Sequence, residues 1–365
     1  MSNELKQRAR KGGWAALCLV LCVLLLAACG GQDESTNANT ESATGANNEA
    51  GASEQGEGAD RDSAAGENGA NGANGAGDET DAAQGPRTVT DGMGHEVVIP
   101  AEPQAIIAPY LEDHLLTLGI EPVAQWSVSG GTSVLDYLQD RLGDVPTIDY
   151  ALPPEAVTSF GPDLIIVSSE TLVQNGLYEQ YTKIAPTYVL GDAVTGDWRE
   201  ALRVLGAVLD REQQAADALA AYEAKAEEAR QQLEQELAGE TVEMLWLAGK
   251  QFYLVDQTQA SGAVVYGDLG LQPSSLSANV PNESSAVWRP VSLELLGELD
   301  ADHIFLVNSD KDGFEQTTES ALWQSLPAVK AGQVYEMPST SSWLYTGAIA
   351  NARTIDDVLA ALGEQ

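Results

Sequence analysis

Aromatic and basic side chains recur where predicted β-strands end, which is where a parallel α/β sheet forms its pockets. A guanidinium group pairs bidentately with a carboxylate, and aromatic rings can cover an organic backbone. This combination predicts a binding site for a bulky, partly anionic ligand. The candidate ligand-binding residues are Tyr110, Trp126 and Tyr150 in the first half of the folded region, and Lys250, Tyr253, Trp288, Arg289, Trp343, Tyr345 and Arg353 in the second half.

Each of these candidates also has a purely structural interpretation. Tyr and Trp at strand ends often pack within a lobe, and Tyr150 could simply cap its strand. Arg353 falls inside the last predicted helix, where Asp356 or Asp357 could pair with it. Arg289 directly precedes a predicted helix in a region with few basic residues, which favours a ligand role.

Catalytic chemistry and direct metal binding find little support. All three cysteines lie within the first 29 residues, so the rest of the chain has no disulfide, thiolate site or cysteine nucleophile. The three histidines, His95, His114 and His303, lack the spacing of metal ligands. Neither a Gly-x-Ser-x-Gly elbow nor a His-Glu-x-x-His motif occurs. We therefore predict a protein that is not an enzyme and holds no cofactor or metal of its own.

Short apolar strands alternate with helical segments from residue 87 onward, and this alternation predicts parallel α/β sheets. A hairpin opens the region, because two alternating runs at 87–90 and 95–99 flank a turn with two glycines. The alternation is interrupted once, by the helical stretch 210–237, and then resumes. The sequence thus predicts an α/β protein with two parallel-sheet lobes, a single long interlobe helix and a ligand cleft between the lobes.

The stretch 210–237 carries one narrow apolar stripe on a surface that is otherwise rich in Glu, Gln, Lys and Arg. At about 1.5 Å per residue such a helix is roughly 40 Å long, the width of a domain. A coiled coil is the alternative, but the repeat covers little more than two heptads. We therefore predict a strut between two lobes. The stripe consists of Leu219, Tyr222, Ala226, Ala229, Leu233 and Leu237.

The predicted organisation has five parts. Residues 1–29 form a signal peptide, 30–86 a disordered tether, 87–209 the first lobe, 210–238 the interlobe helix and 239–365 the second lobe. The segment 30–86 holds twelve acidic residues against one basic residue, and no aromatic or branched apolar side chain. Such a segment cannot bury enough apolar surface to fold. An acidic interaction tail is the alternative interpretation.

The N-terminus resembles the signal of a bacterial lipoprotein. Four basic residues precede an apolar run at 14–28, which ends in two alanines directly before Cys29. This run of 15 residues is shorter than a membrane span, which needs roughly 20. The resemblance implies that Cys29 becomes the lipid-modified first residue, which would tether the protein to the outer face of the cell membrane. A plain signal peptide and an uncleaved anchor are the alternatives.

The folded region is strongly acidic. From Arg87 onward the chain has 42 acidic and 13 basic residues, a net charge of −29. So negative a surface disfavours nucleic acid and anionic lipid as partners. Several of the basic residues lie on the long helical stretch, where they are most simply partners of Glu and Asp one turn away.

Five segments carry a family resemblance: 87–99 (RTVTDGMGHEVVI), 109–120 (PYLEDHLLTLGI), 155–167 (EAVTSFGPDLIIV), 291–306 (VSLELLGELDADHIFL) and 341–359. In order and spacing they resemble the class III substrate-binding proteins of ABC importers, and within that group the iron-siderophore branch. The resemblance extends from Arg87 to the C-terminus and makes the long helix the interlobe backbone. It implies a monomer that captures a ferric siderophore and delivers it to a permease dimer with its ATPase.

Two glutamates occupy equivalent places in these segments. Glu155 and Glu294 each stand at the start of a helix that leads into a Pro-Asp or Ala-Asp strand entry. In the family, an acidic residue on each lobe docks into basic pockets of the permease, and the resemblance implies this role for both glutamates. Acids at helix N-termini also favour the helix macrodipole, which by itself would explain them.

The resemblance leaves the identity of the ligand open. Ferric hydroxamate, carboxylate and catecholate complexes all suit a lining of arginine and aromatic rings, and cobalamin and haem are alternatives within the same fold. A structural surface lipoprotein without a ligand is the alternative outside transport. Such a scaffold should show no ligand-dependent shift in thermal stability.

Overall fold

Helix α7, Glu212–Leu237, organises the fold in the computed structural model, which describes residues 85–237, 239–279, 286–310 and 318–363. Its buried side chains are spaced three or four residues apart and include every member of the predicted apolar stripe, with Ala215 added at the N-terminal end. The helix begins two residues later than predicted. The preceding helix, α6 (Trp198–Leu209), ends at Asp210, which adopts a left-handed conformation. The predicted signal peptide with Cys29, and all but the last two residues of the predicted tether, lie outside the described residues.

The helices and strands of the first lobe alternate as predicted. The strands are β1 (Arg87–Thr90), β2 (Glu96–Ile99), β3 (Ile106–Ile107), β4 (Gln125–Ser127), β5 (Thr147–Asp149), β6 (Leu164–Val167) and β7 (Thr187–Val189). The helices are α1 (Glu112–Thr117), α2 (Gln139–Leu142), α3 (Pro154–Ser159), α4 (Leu177–Tyr181), α5 (Asp192–Thr195) and α6 (Trp198–Leu209).

Parallel strands build the sheet of the first lobe. Strand β6 lies between β3 and β7, and β4 pairs with β5. A single bridge between Ile107 and Ala124 joins the two groups. The strands β1 and β2 form the separate antiparallel hairpin that the sequence predicts. Because the five parallel strands run in one direction, their carboxyl ends meet at one edge of the lobe.

The second lobe has a mixed sheet. Its strands are β8 (Thr241–Ala248), β9 (Gln251–Val255), β10 (Gln272–Pro273), β11 (Trp288–Val291), β12 (His303–Asn308) and β13 (Val334–Pro338). Its helices are α8 (Ala260–Gly262), α9 (Ser275–Asn279), α10 (Leu293–Leu296), α11 (Pro327–Ala331) and α12 (Ala348–Leu362). The order is β11-β9-β8-β12-β13, with β10 beside the start of β8. Strands β8, β10, β12 and β13 are parallel, whereas β9 is antiparallel to both of its neighbours, β8 and β11.

The antiparallel part arises from a two-residue turn that the sequence analysis did not recognise. Ala248 pairs with Gln251, so Gly249 and Lys250 form the turn, and both have positive φ angles of 55° and 64°. This is the backbone of a type I′ hairpin turn. The prediction of two α/β lobes joined by one long helix is confirmed, and the sheet of the second lobe is mixed rather than wholly parallel.

One apolar core runs through both lobes. It contains the buried face of α7, side chains of α1 and α6 from the first lobe, and side chains of β8, β12 and α12 from the second. Helix α12 packs along α7 and also reaches α1. The interlobe helix is therefore buried against elements of both lobes, which restricts large hinge motion and favours modest adjustments of a largely rigid pair.

Candidate ligand site and docking surface

Four aromatic rings gather at the carboxyl edge of the first-lobe sheet and form what we call the aromatic platform: Tyr110, Trp126, Tyr137 and Tyr345. The ring centroids of Tyr110 and Trp126 are 5.0 Å apart, and those of Tyr110 and Tyr345 are 6.4 Å apart. Tyr345 stacks on Tyr137 at 5.1 Å with an interplanar angle of 27°. Three of the four rings were predicted as ligand contacts. Tyr137 was missed, since it lies in a short 3₁₀ helix (Asp136–Leu138) directly before α2 and not at the end of a strand.

Tyr110 combines an uncommon backbone conformation with an exposed ring. It follows β3 with a φ of 64°, a left-handed conformation that bulky residues rarely adopt. Its side chain nevertheless remains 51% exposed. Desolvation of its hydroxyl group raises the pKa of Tyr110 to about 12, with smaller contributions from Tyr345 and Glu112. An exposed ring held on a strained backbone is typical of a binding surface.

Glu112 lies beneath the platform at the start of α1 and is fully buried. Its Oε1 accepts a hydrogen bond from the backbone N–H of Trp126 at 2.6 Å. Its Oε2 has no hydrogen-bond partner among the described residues. The pKa of Glu112 is raised to about 7, chiefly by burial and to a smaller extent by the charge of Asp113, against backbone hydrogen bonds that lower it.

Replacing Glu112 with glutamine is expected to stabilise the protein in a pH-dependent manner. The folded-state pKa lies above the ordinary value, so the wild-type protein loses stability as the pH rises from about 4.5 to 7 and the buried carboxyl group ionises. Glutamine keeps the acceptor for Trp126 but cannot ionise. Urea denaturation should show that the free energy of unfolding of Glu112→Gln, relative to wild type, is about 2 to 3 kcal/mol higher at pH 8 than at pH 5. The exposed Glu121→Gln serves as the control, and equal gains at both pH values would contradict this assignment.

Asp113 joins the platform to the last helix. Its carboxylate accepts a hydrogen bond from the Tyr137 hydroxyl at 3.1 Å and from the backbone N–H groups of Ile349 and Ala350 at 3.1 and 2.9 Å. It therefore caps the N-terminus of α12 from the other lobe's helix α1. Gly347 is required beside it, because a Cβ there would lie 2.3 Å from the Asp113 Cγ. Burial raises the pKa of Asp113.

A second group of rings lies on the sheet of the second lobe. The ring centroids of Trp246 and Tyr253 are 5.1 Å apart, and those of Trp246 and Trp288 are 5.5 Å apart. The Trp246 indole N–H donates to the Ser309 hydroxyl at 3.0 Å, in the loop after β12. Strand register places Trp246 and Tyr253 in one cross-strand row with Met337. The row is near the carboxyl end of β8, and Trp246 is a site residue that the sequence analysis missed.

A pocket of about 300 Å³ connects the two lobes beside the platform. Tyr137 of the first lobe and Met337 of the second both line it, together with Ser341 and Arg353. Met337 lies in the same cross-strand row as Trp246, with Val307 between them. The predicted site residues therefore come together in part, on two aromatic surfaces, and an interlobe pocket lies beside the first of these.

Two predicted ligand contacts lie elsewhere. Trp343 has 0% exposure, stacks on Phe305 at 4.8 Å and donates to Asp357 at 2.8 Å, so it is a core residue of the second lobe. Arg289 is 7% exposed and lies on the same face of the sheet as its pairing partner Leu254. Trp288, the preceding residue, lies on the other face. A one-residue difference in strand position decides which face a side chain occupies, and the loop predicted around Arg289 is in fact strand β11.

Arg353 lines the interlobe pocket but binds protein groups. Its guanidinium donates to the backbone carbonyl of Tyr137 and forms an ion pair with Asp140 at 3.2 Å. The sequence analysis considered Asp356 or Asp357 as its partner, but the structure has Asp356 paired with Lys225. Arg353 thus bridges α12 and the first lobe while it lines the pocket, and its role as a ligand contact stays a prediction.

Tyr150 and Lys250 stand at the edges of the site. Tyr150 follows β5, is 44% exposed, and donates its backbone N–H to Ser127 at 2.8 Å. Lys250 occupies the β8–β9 turn, where Asp310 accepts a hydrogen bond from its backbone N–H at 2.6 Å. Both positions are at carboxyl ends of strands, so both residues stay predictions as ligand contacts.

The two candidate docking acids occupy matching surface positions. Glu155 lies in the first turn of α3 and Glu294 in the first turn of α10, and both are exposed. Ser292 caps the N-terminus of helix α10, and its hydroxyl accepts a hydrogen bond from the Leu295 N–H at 3.2 Å. The exposed side chains of Leu293 and Leu295 flank Glu294. Each helix presents its acid to solvent while one apolar residue anchors it to the lobe.

In the part of the chain that the structure describes, no cluster of three or more His, Cys, Asp or Glu side chains could hold a metal ion. His95 instead pairs with Asp91, and His303 lies between Glu240 and Tyr335. The described helices include none that is long and apolar enough to cross a membrane.

Two lobes, an interlobe helix and an aromatic site beside an interlobe pocket define a two-lobed binding protein. Comparison with known proteins agrees, since the sequence profile of the periplasmic binding protein family matches residues 114–340. The chain belongs to this family.

The relatives and the solved structures are consistent with that assignment. The chain is 26% identical over 286 residues to the probable siderophore-binding lipoprotein YfiY of Bacillus subtilis, covering 74% of this chain and 86% of that protein. It is 28% identical over 246 residues to the iron(3+)-hydroxamate-binding protein FhuD of the same organism, covering 66% and 76%. A crystal structure of a FhuD fold-family binding protein from a Fep/Fec-like ferrichrome ABC transporter of Bacillus subtilis superposes with a TM-score of 0.64 at 24% identity, covering 76% of this chain and 100% of that one. This structural likeness confirms the fold.

Proposed function

We propose that this protein captures a ferric siderophore outside the cytoplasm and delivers it to the permease of an ABC importer. The observation that carries the proposal is the aromatic platform beside an interlobe pocket, in a chain of the periplasmic binding protein family. The relatives YfiY and FhuD, which are named for siderophore and iron(3+)-hydroxamate binding, support this choice of ligand.

The aromatic platform supplies what a bulky chelate needs. Tyr110 and Tyr345 offer ring faces for the organic backbone of a ligand, and Trp246 and Tyr253 offer a second surface on the other lobe. A ligand in contact with both surfaces favours the closed arrangement of the lobes because it binds that arrangement better. No reaction of the ligand is part of this proposal.

Delivery requires that the protein stays at the membrane and recognises the permease. We place the lipid on Cys29 and assign the segment 30–86 as the tether between lipid and lobes. Glu155 and Glu294 contact basic pockets of the permease dimer, one on each lobe. A monomer suffices for this role, since each lobe contributes one acid. Release of the protein into the medium is the expected result of Cys29→Ser, and unchanged membrane retention would contradict the lipid assignment.

Tryptophan fluorescence tests the ligand class. We expect saturable quenching when the purified protein is titrated with ferric siderophores, because Trp126 and Trp246 lie at the two aromatic surfaces. The alternatives cobalamin and haem belong in the same panel. Tyr345→Ala should weaken the affinity for the ferric chelate by about 10- to 100-fold, since it removes a central ring of the platform.

A matched control is Tyr178→Ala, which removes a ring that stacks on His95 beside the β1–β2 hairpin. This control should bind the chelate as wild type does. Binding of cobalamin or haem in place of every ferric siderophore would move the protein to another ligand class. The absence of any ligand-dependent quenching in a folded sample would support a structural lipoprotein and refute the proposal.

A further inference from the structure

The ionisable side chains close to the aromatic platform are predominantly acidic. Glu112 and Asp113 are buried beneath the rings. Asp136 is exposed and directly precedes Tyr137. Burial, and after it the charge of Asp136, raise the pKa of the Tyr345 hydroxyl, so this carboxylate is within electrostatic reach of the platform.

The arginines of the same region are engaged by protein groups. Arg353 pairs with Asp140 and donates to the backbone carbonyl of Tyr137. Arg141 donates to a backbone carbonyl of α1 at 3.1 Å. Arg289, which the sequence suggested as the anchor for an anionic ligand, lies on the face of its sheet opposite to Trp288. Arg353, which lines the pocket, is thus paired with an acid, and Arg289 faces away from the rings.

Among the described residues, Lys250 is a basic residue at the edge of the second-lobe surface, and an acid accompanies it. Asp310 accepts a hydrogen bond from the Lys250 backbone N–H at 2.6 Å. The whole folded region carries a net charge of −29 from Arg87 onward. Both the local and the overall charge thus oppose the approach of an anion.

We infer that the site selects ferric chelates without net negative charge, in which hydroxamate groups hold the iron. This inference rests on the proposed function and specifies its ligand. Each hydroxamate group loses one proton when it binds ferric iron, so three of them leave a neutral core, and a free amine on the ligand makes the complex cationic. Each catecholate group loses two protons, so a tris-catecholate complex is strongly anionic, and ferric citrate complexes are anionic as well.

Titration of the full protein with a panel of chelates tests the inference. The panel is a neutral tris-hydroxamate, a cationic tris-hydroxamate, a tris-catecholate and ferric citrate, at low and at high salt. We expect the hydroxamate complexes to bind at least about tenfold more tightly than the anionic ones at low salt, and the difference to shrink when salt screens the charges. Equal or tighter binding of a catecholate or citrate complex would overturn the inference and leave the proposed function intact. Binding of no ferric chelate would overturn the proposed function itself.

A charge reversal tests whether the acids near the rings are the cause. Asp136→Lys should improve the affinity for the anionic chelates by about three- to tenfold relative to the neutral hydroxamate. Asp144 is exposed and precedes the N-terminal end of β5, whereas the platform lies at the carboxyl ends of the strands. Asp144→Lys therefore makes the same change of charge away from the platform. We expect no change in selectivity from this control. An unchanged selectivity in Asp136→Lys, or an equal change in both variants, would overturn the assignment of selectivity to the platform.

Discussion

Replacing Asp113 with alanine is expected to lower the free energy of unfolding by about 3 kcal/mol. The substitution removes one acceptor from three buried donors, the Tyr137 hydroxyl and the backbone N–H groups of Ile349 and Ala350. Each donor then stays buried without a partner, and α12 loses its N-terminal cap. Asp113→Asn keeps one acceptor oxygen in place and should cost only about 1 kcal/mol.

Urea denaturation measures both Asp113 variants, with the exposed Asp144→Ala as the control. The control should lie within about 0.5 kcal/mol of wild type. If the free energy of unfolding of Asp113→Ala is no lower than that of the control, the capping contacts contribute nothing to stability. We also expect Asp113→Ala to weaken chelate binding, because Tyr137 loses the hydrogen bond that orients its ring within the platform.

Cells that carry Glu155→Ala together with Glu294→Ala should take up the iron chelate at about one tenth of the wild-type rate or below. The purified variant should bind the chelate with unchanged affinity. Both glutamates are exposed on short helices, and neither belongs to the aromatic platform. The loss should therefore fall on delivery to the permease. Leu293 and Leu295 remain in place and preserve the apolar surroundings of Glu294.

The control for this experiment is a variant with the same loss of charge on the exposed face of α7, Asp217→Ala with Glu228→Ala. It should take up the chelate at the wild-type rate. Normal uptake by the Glu155 and Glu294 double variant would remove both residues from the proposed docking surface. A weakened affinity of that purified variant would instead indicate that they act on ligand binding.

Elements with a strong repeating pattern could be predicted from the sequence. The apolar stripe from Leu219 to Leu237 became the buried face of α7, because a helix of that length must bury one face against both lobes. The hairpin of β1 and β2 and the bounds of α12 also followed from local patterns. Strand β11 was missed, since Trp288–Val291 is extended through its pairing with β9, a contact between residues far apart in the chain.

Single side chains at the site were harder to predict than the elements that hold them. The sequence placed aromatic residues at the carboxyl ends of strands, and Tyr110, Trp126 and Tyr345 do meet there. It could not distinguish Tyr345 on the platform from Trp343 in the core, although the two are only two residues apart. Their difference depends on which side of the loop before α12 faces the first lobe.

The sequence by itself determined the class of fold, the position of the interlobe helix and the family, because these depend on periodicity and on the order of segments. Only the tertiary structure decided where the basic side chains lie. Arg289 and Arg353 were expected to face an anionic ligand, but strand register turns the first away and the approach of Asp140 engages the second. The physical reason is that a side chain's environment is set by neighbours distant in sequence, and register and interlobe contacts are not encoded in any local pattern.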